Sequence, residues 1–252
     1  MRGIFPLCCS IALRSRCPLR GGRTLLGRSS GCRRSALRCR RSRCGPVRGG
    51  QSLRRRGAVM DDERSRALQE ALFCESVLAK SGENVLSETL RGAPVTAWSH
   101  YPAGDIFDPD TGAQWYYHCH VPPADETEHG HFHCFVRPDG PKGPVHHLIA
   151  VGVDPFGRLH RLFTVNQWVV GDTWLDAEAT IALLPRFDVH FSRPSYLVNR
   201  WLTAVVRHFQ PEIETLIRER DAVLAGHIAP QGVTVREDRQ LEVTSSLPAS
   251  LR

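Results

Sequence analysis

Four apolar runs lie close together in the middle of the chain: QWYYHCHV (114–121), HGHFHCFV (129–136), HHLIAVGVD (146–154) and LHRLFTVNQWV (159–169). Each has the length and the β-branched and aromatic content of a strand. The links between them are too short for a crossover helix, so the economical topology is an antiparallel meander. The last two are joined by Asp154-Pro155-Phe156-Gly157, a good turn sequence.

Helical patterns flank these strands. From Asp61, apolar Leu68, Leu72, Phe73, Val77 and Leu78 recur at three- and four-residue steps, acidic Asp61, Asp62 and Glu63 favour the N-terminal dipole, and Gly82 should end the helix. A short second helix is expected in ENVLSETL, closed by Gly92 and Pro94. WSHYPAGDIFDPDTG (98–112), with two prolines and glycines, reads as an ordered loop. After Gly171, Asp176 is a plausible N-cap, RPSYLVNRWLTAVVRHF carries the apolar stripe Leu197, Trp201, Val205 and Phe209, and Pro211 breaks or restarts the helix that runs on to Gly226. The tail from His227 is polar, with one short strand around LEV. The expected fold class is α+β, a mostly antiparallel sheet of four or slightly more strands covered on one face by the N- and C-terminal helices.

Strand alternation decides what the histidines can do. Side chains of a strand point alternately to the two faces, so His118 and His120 share one face while Trp115, Tyr117 and Cys119 share the other. In the second run His129, His131 and His133 lie on one face and Phe132, Cys134 and Val136 on the opposite one. Pairing His118 with His131 and His120 with His129 would bring rings together, because directly opposed Cβ atoms are about 4.5–5.5 Å apart and zinc is held by imidazole nitrogen at about 2.0–2.1 Å. Three of the five could then converge on one divalent transition metal, zinc or iron being the favoured ions. His147 on the third strand, and His160, Thr164 and Asn166 on the fourth, could border the same cleft, depending on register. Glu128 or Glu126 could complete the ligand set or act as a base, Tyr116 on the histidine face could orient a ligand or donate a proton, and His100, Asp105 and Asp108 in the preceding loop are further candidates. Alternation sends Cys119 and Cys134 to the apolar side as buried thiols rather than ligands. Trp168 and Trp174, beside Asn166 and Asp172, read as core or loop anchors before pocket walls.

The net charge of +7 belongs to one end of the chain. Residues 1–59 hold sixteen arginines and no Lys, Asp or Glu, leaving 17 basic against 26 acidic side chains from residue 60 onward. No nucleic-acid partner is therefore expected for the folded part, since a basic patch on a fold is the usual warrant. The arginine-rich segment 1–59 lacks apolar periodicity and reads as an unstructured leader. A start placed too early, an organelle transit peptide and a basic RNA-binding tail all fit it, with Met60 before DDERSRALQEAL as a natural beginning. One domain is expected over 60–245, with 246–252 as a tail. No run approaches the roughly 18–20 apolar residues of a membrane span. Cys74, Cys119 and Cys134, an odd set without scaffold spacing, fit a reducing, cytoplasmic setting. Walker, GxGxxG, GxSxG and HExxH motifs are absent from the sequence.

The segments SHYPAGDIFDPDTGAQWYYHCH, EHGHFHCF, HHLIAVGVDPFGRLHRLFTVNQWVVGDTW, RPSYLVNRWLTAVVRHFQPEIETLIRERD and EDRQLEVTS resemble an uncharacterised bacterial family, a domain of unknown function. The resemblance spans most of 61–245. It implies that His118, His120, His129, His131, His133 and His147 belong to the family's pattern and that Cys119 and Cys134 do not; it implies no substrate or reaction. A metal-binding protein, with or without enzymatic activity, and a metal-free ligand-binding or protein-interaction module with a histidine-lined surface are the two readings the sequence supports.

Overall fold

The computed structural model describes residues 49–120 and 127–252, with side chains from residue 61 onward. Most of the arginine-rich leader and Glu126 lie outside the described residues. The first helix, α1, is Gly49–Lys80, followed by α2, Val85–Leu90. Its start departs from the expectation: Asp61, Asp62 and Glu63 lie inside α1 rather than in its first turn, and the segment expected to be unstructured to residue 59 is helical from Gly49. Extending a packed helix upstream costs only propagation, not nucleation, and arginine is a good helix former. Asn84 caps α2, its side chain accepting from Ser87 N at 2.9 Å while Ser87 Oγ accepts from Asn84 N at 2.8 Å.

Six strands follow the chain in order, all neighbours antiparallel: β1 (Tyr101–Phe107), β2 (Ala113–His118), β3 (Gly130–Val136), β4 (His146–Val153), β5 (Leu159–Val165) and β6 (Val243–Pro248). The α+β class and antiparallel sheet are as expected; the strand count is not. β1 occupies the stretch read as a loop because Pro102 and Gly104 sit on an edge strand, where a missing N–H and an irregularity between Tyr101 and Ile106 are tolerated. β6 extends past residue 245 into the expected tail, and Ala249 and Leu251 are buried. Its hydroxyls obscure the strand pattern: Thr164 Oγ1 lies 2.7 Å from Thr244 Oγ1 and 2.6 Å from Ser245 Oγ.

Between β5 and β6 lie α3 (Gln167–Val170), α4 (Ala177–Ile181), α5 (Tyr196–His208) and α6 (Gln210–Gly226). Asp176 caps α4 by accepting from Ala179 N. The helix placement corrects the expectation in detail. α5 carries the stripe read from the sequence and is buried nearly all round, between the sheet and α1. Toward the sheet, Trp201 meets Phe132 at 6.2 Å and Asn199 Oδ1 accepts from Trp115 Nε1 at 2.9 Å. Toward α1, Arg200 Nε donates to Glu70 Oε1 at 2.7 Å. α6 lies along β5 and β6, where Ser245 Oγ donates to Leu216 O at 2.8 Å. The N-terminal helix packs chiefly on α5, where Glu75 Oε1 accepts from Trp201 Nε1 and Ala71, Cys74 and Leu78 join the same core, while α6 lies on the sheet.

Trp115, Tyr117, Phe132, Cys134 and Val151 of the sheet enter one core with Trp201, Leu202, Val205 and Ile213. Each large side chain buried there is worth about 1.5–3 kcal/mol. The opposite sheet face carries the histidines. Among the described residues no helix is long and apolar enough to cross a membrane.

Candidate metal centre

The β2–β3 ladder pairs His118 with His131 and Tyr116 with His133, the pairing under which the rings were expected to meet. β2 ends at His118, and His120 lies beyond it, its ring 5.2 Å from those of both His118 and His131. Trp98 stacks on His120 with centroids 4.3 Å apart. His118, His120 and His131 each offer a nitrogen within 4.8 Å of the others, so the three could hold a metal ion.

His133 and His147 form an adjoining pair, His133 Nδ1 being 3.0 Å from His147 Nε2. Simple alternation would send His147 to the same side as Ile149. A bulge prevents this: Cys134 pairs with Ile149 but Phe135 with His147, leaving Leu148 as the extra residue. Leu148 and Ile149 both enter the apolar core, and His147 turns to the histidine face. Asp172 Oδ2 accepts from His147 N at 2.9 Å and fixes that turn.

His129 departs from the expected row. Ladder pairing of β3 begins at Gly130, and the ring of His129 leaves the cluster to place Nδ1 2.6 Å from the Tyr117 hydroxyl. A Cβ at Gly130 would lie 2.3 Å from that hydroxyl, so only glycine lets Tyr117 reach it.

Glu128 was a candidate base, and its surroundings argue for another role. Its Oε1 lies 3.1 Å from His131 Nδ1, and Arg161 grips the carboxylate with Nε on Oε2 and Nη2 on Oε1. Burial would raise its pKa, but hydrogen bonds from His131 and Arg161 outweigh that and hold the carboxyl down to about 2. Such a weak base keeps its charge and fixes His131 with the proton on Nδ1, turning the Nε2 lone pair toward His118 Nε2, 2.8 Å away. A carboxylate on the far nitrogen of a ligating histidine is the usual orienting arrangement. Gly152, opposite His131, makes the room: a Cβ there would sit 2.4 Å from Glu128 Oε2.

Four rings of the cluster, His118, His120, His133 and His147, favour the uncharged form. His118 is pushed down to about 3 by burial and by neighbouring His131, His120 and His100. Burial, then Arg220 and His131, brings His147 down to about 3, and burial depresses His120 and His133 in the same direction. Neutral imidazoles at neutral pH carry the lone pairs that a cation requires.

Tyr116 lies on this face, stacked on His100 with centroids 3.6 Å apart, and burial followed by the Asp105 charge drives its hydroxyl pKa well up. It stays protonated and suits a donor. Asp105 binds His100 Nδ1 at 3.1 Å and Gln114 Nε2 at 2.9 Å. Asp108 serves the backbone instead, accepting from Asp110 N and His190 N. Thr164 turns to β6, Asn166 caps α3, and His160 Nε2 lies 3.2 Å from Thr127 Oγ1, so none of these three joins the histidine cluster. Cys134 is fully buried in the apolar core and Cys119 is also buried. Trp168 and Trp174 anchor loops, Trp168 donating to Leu241 O and Trp174 packing against Arg220 and Arg236.

Three neighbours escaped sequence reasoning. Arg161 and Phe163, which packs on His131 at 5.0 Å, were discoverable as the alternate set of β5. Trp98 stands at positive φ in an irregular segment, where no periodicity announces its direction.

Neither a curated protein nor a solved structure matches the chain. A family model does match residues 65–249, covering the whole sheet and all but the upstream part of α1. The chain therefore belongs to that family, a domain of unknown function, DUF6969.

Proposed function

We propose that the protein binds one divalent transition-metal ion through His118, His120 and His131, with zinc and iron as the first candidates. The convergence of three imidazole nitrogens on one point carries this reading. The hold of Glu128 on the far nitrogen of His131, itself clamped by Arg161, supports it, because that shell orients a ligand and raises its basicity. An ion on three neutral imidazoles keeps a position for another ligand, the arrangement with which metals activate water. The free, buried Cys74, Cys119 and Cys134 support a reducing, cytoplasmic setting for it.

Elemental analysis of the full chain, untagged and purified without chelators, tests the proposal. Close to one ion per chain is expected, and its loss in a still-folded His131→Ala variant. Native protein free of metal, with no thermal shift on adding Zn, Fe, Mn, Cu or Ni, would overturn it. Glu128→Gln is expected to retain the site but weaken it about 10–100-fold, measured by competition with a chromophoric chelator. The direct 2.8 Å contact between His118 and His131 favours a second reading, a metal-free histidine face that receives a small ligand or a partner surface, and the metal-free outcome would select it.

A further inference from the structure

His133 is fully buried, and its Nε2 has no hydrogen-bond partner. An unsatisfied buried nitrogen of this kind costs about 1–3 kcal/mol, which a bound group at that point would remove. Ring geometry gives its direction. Nδ1 and Nε2 lie on nearly opposite edges of an imidazole, and Nδ1 is engaged by His147 on β4. Since β3 lies between β2 and β4, Nε2 is turned toward β2, the side of Tyr116 and His118. Tyr116 is the direct cross-strand partner of His133, their rings 5.2 Å apart, and its hydroxyl makes no hydrogen bond to the described residues. The His133 ring is 5.0 Å from that of His118 and 4.9 Å from that of His131. A buried nitrogen and a hydroxyl, neither with a hydrogen-bond partner among the described residues, therefore stand next to the three-histidine site.

Charge selects the kind of ligand. Three neutral imidazoles leave the charge of a dication uncompensated, and the carboxylate of Glu128 is already matched by Arg161. We propose that Tyr116 and His133 form an anion subsite beside the metal, taking a small anion of carboxylate or azide size that bridges the ion's open position and these two donors. The inference rests on the metal-binding reading above. It assigns the proton of His133 to Nε2, so that His147 Nε2–H donates to His133 Nδ1.

Cobalt(II) and azide are the probes. Full-length protein loaded with cobalt is titrated with azide and followed by its visible absorption, in the wild type, Tyr116→Phe and His133→Phe. Cobalt uptake should be equal in all three, while the azide Kd rises about tenfold or more in each variant, the value of a hydrogen bond to a charged group. Tyr116→Phe removes one oxygen and decides the matter alone if His133→Phe does not fold. Equal cobalt loading with azide affinities within twofold would overturn the subsite and leave the metal reading standing. A wild-type protein that takes up no cobalt would remove both.

Discussion

Replacing Asn199 by leucine is expected to destabilise the protein by about 2–6 kcal/mol, from one buried donor left without a partner and two part-buried carbonyls that each lose a hydrogen bond. Asn199 is fully buried on the sheet side of α5. Its Oδ1 accepts from Trp115 Nε1, and its Nδ2 donates to Phe191 O at 2.5 Å and Arg193 O at 2.9 Å. One amide thus ties the sheet, the approach to α5 and α5 itself. Leucine keeps the branched heavy-atom shape and leaves no cavity, so the loss separates hydrogen bonding from cavity formation. Domains of this kind have about 5–15 kcal/mol in total, so much of the fold's margin is at stake. Urea denaturation measures it; a loss under about 1 kcal/mol would show that the stranded groups find other partners.

The second large effect is acid sensitivity of the metal-free protein. His118 and His147 are each held near about 3 in the fold, against 6.5 in an unstructured chain. Below the unfolded value the unfolded chain takes up protons that the folded one refuses. Stability is therefore fully present above about pH 6.5 and falls toward pH 3, at up to about 2.7 kcal/mol per pH unit with both histidines contributing. Glu128, lowered from 4.5 to about 2, acts with the same sign: its contribution is present above 4.5 and is lost as pH falls through 2. Urea midpoints of chelator-treated protein from pH 8 to pH 4 test this, with a level upper region and a steep fall below 6.5 as the expected shape. A profile level to pH 4 would mean that the buried rings accept protons without penalty.

The site was legible wherever alternation holds. His118, His131 and His133 share a face because β2 and β3 are regular there, and the pairing of His118 with His131 is one of the registers that alternation allows. Reading failed where regularity stops. His129 precedes the first ladder pair of β3, and the direction of His147 depends on an extra residue that composition does not reveal. β1 was hidden, and the short strand expected around LEV was placed too early, for a related reason: an edge strand can carry Pro102 and Gly104, and Thr244, Ser245 and Ser246 can form a hydroxyl-rich strand, so neither matches an apolar template. The role of Glu128 needed Arg161 from a strand more than thirty residues on, a partnership fixed by sheet order rather than by local sequence.

The bulge in β4 also bears on the order in which the molecule folds. The β2–β3 hairpin can form from adjacent chain, but the turn that aims His147 at His133 is held by Asp172, 25 residues further along. Contacts of that span close after local ones, because the intervening loop must be ordered first. A nascent or partly unfolded chain can therefore display the His118–His131 pair while lacking the His133–His147 pair beside it. Completion of the pocket becomes a late event, reporting that the sheet has settled into its final register.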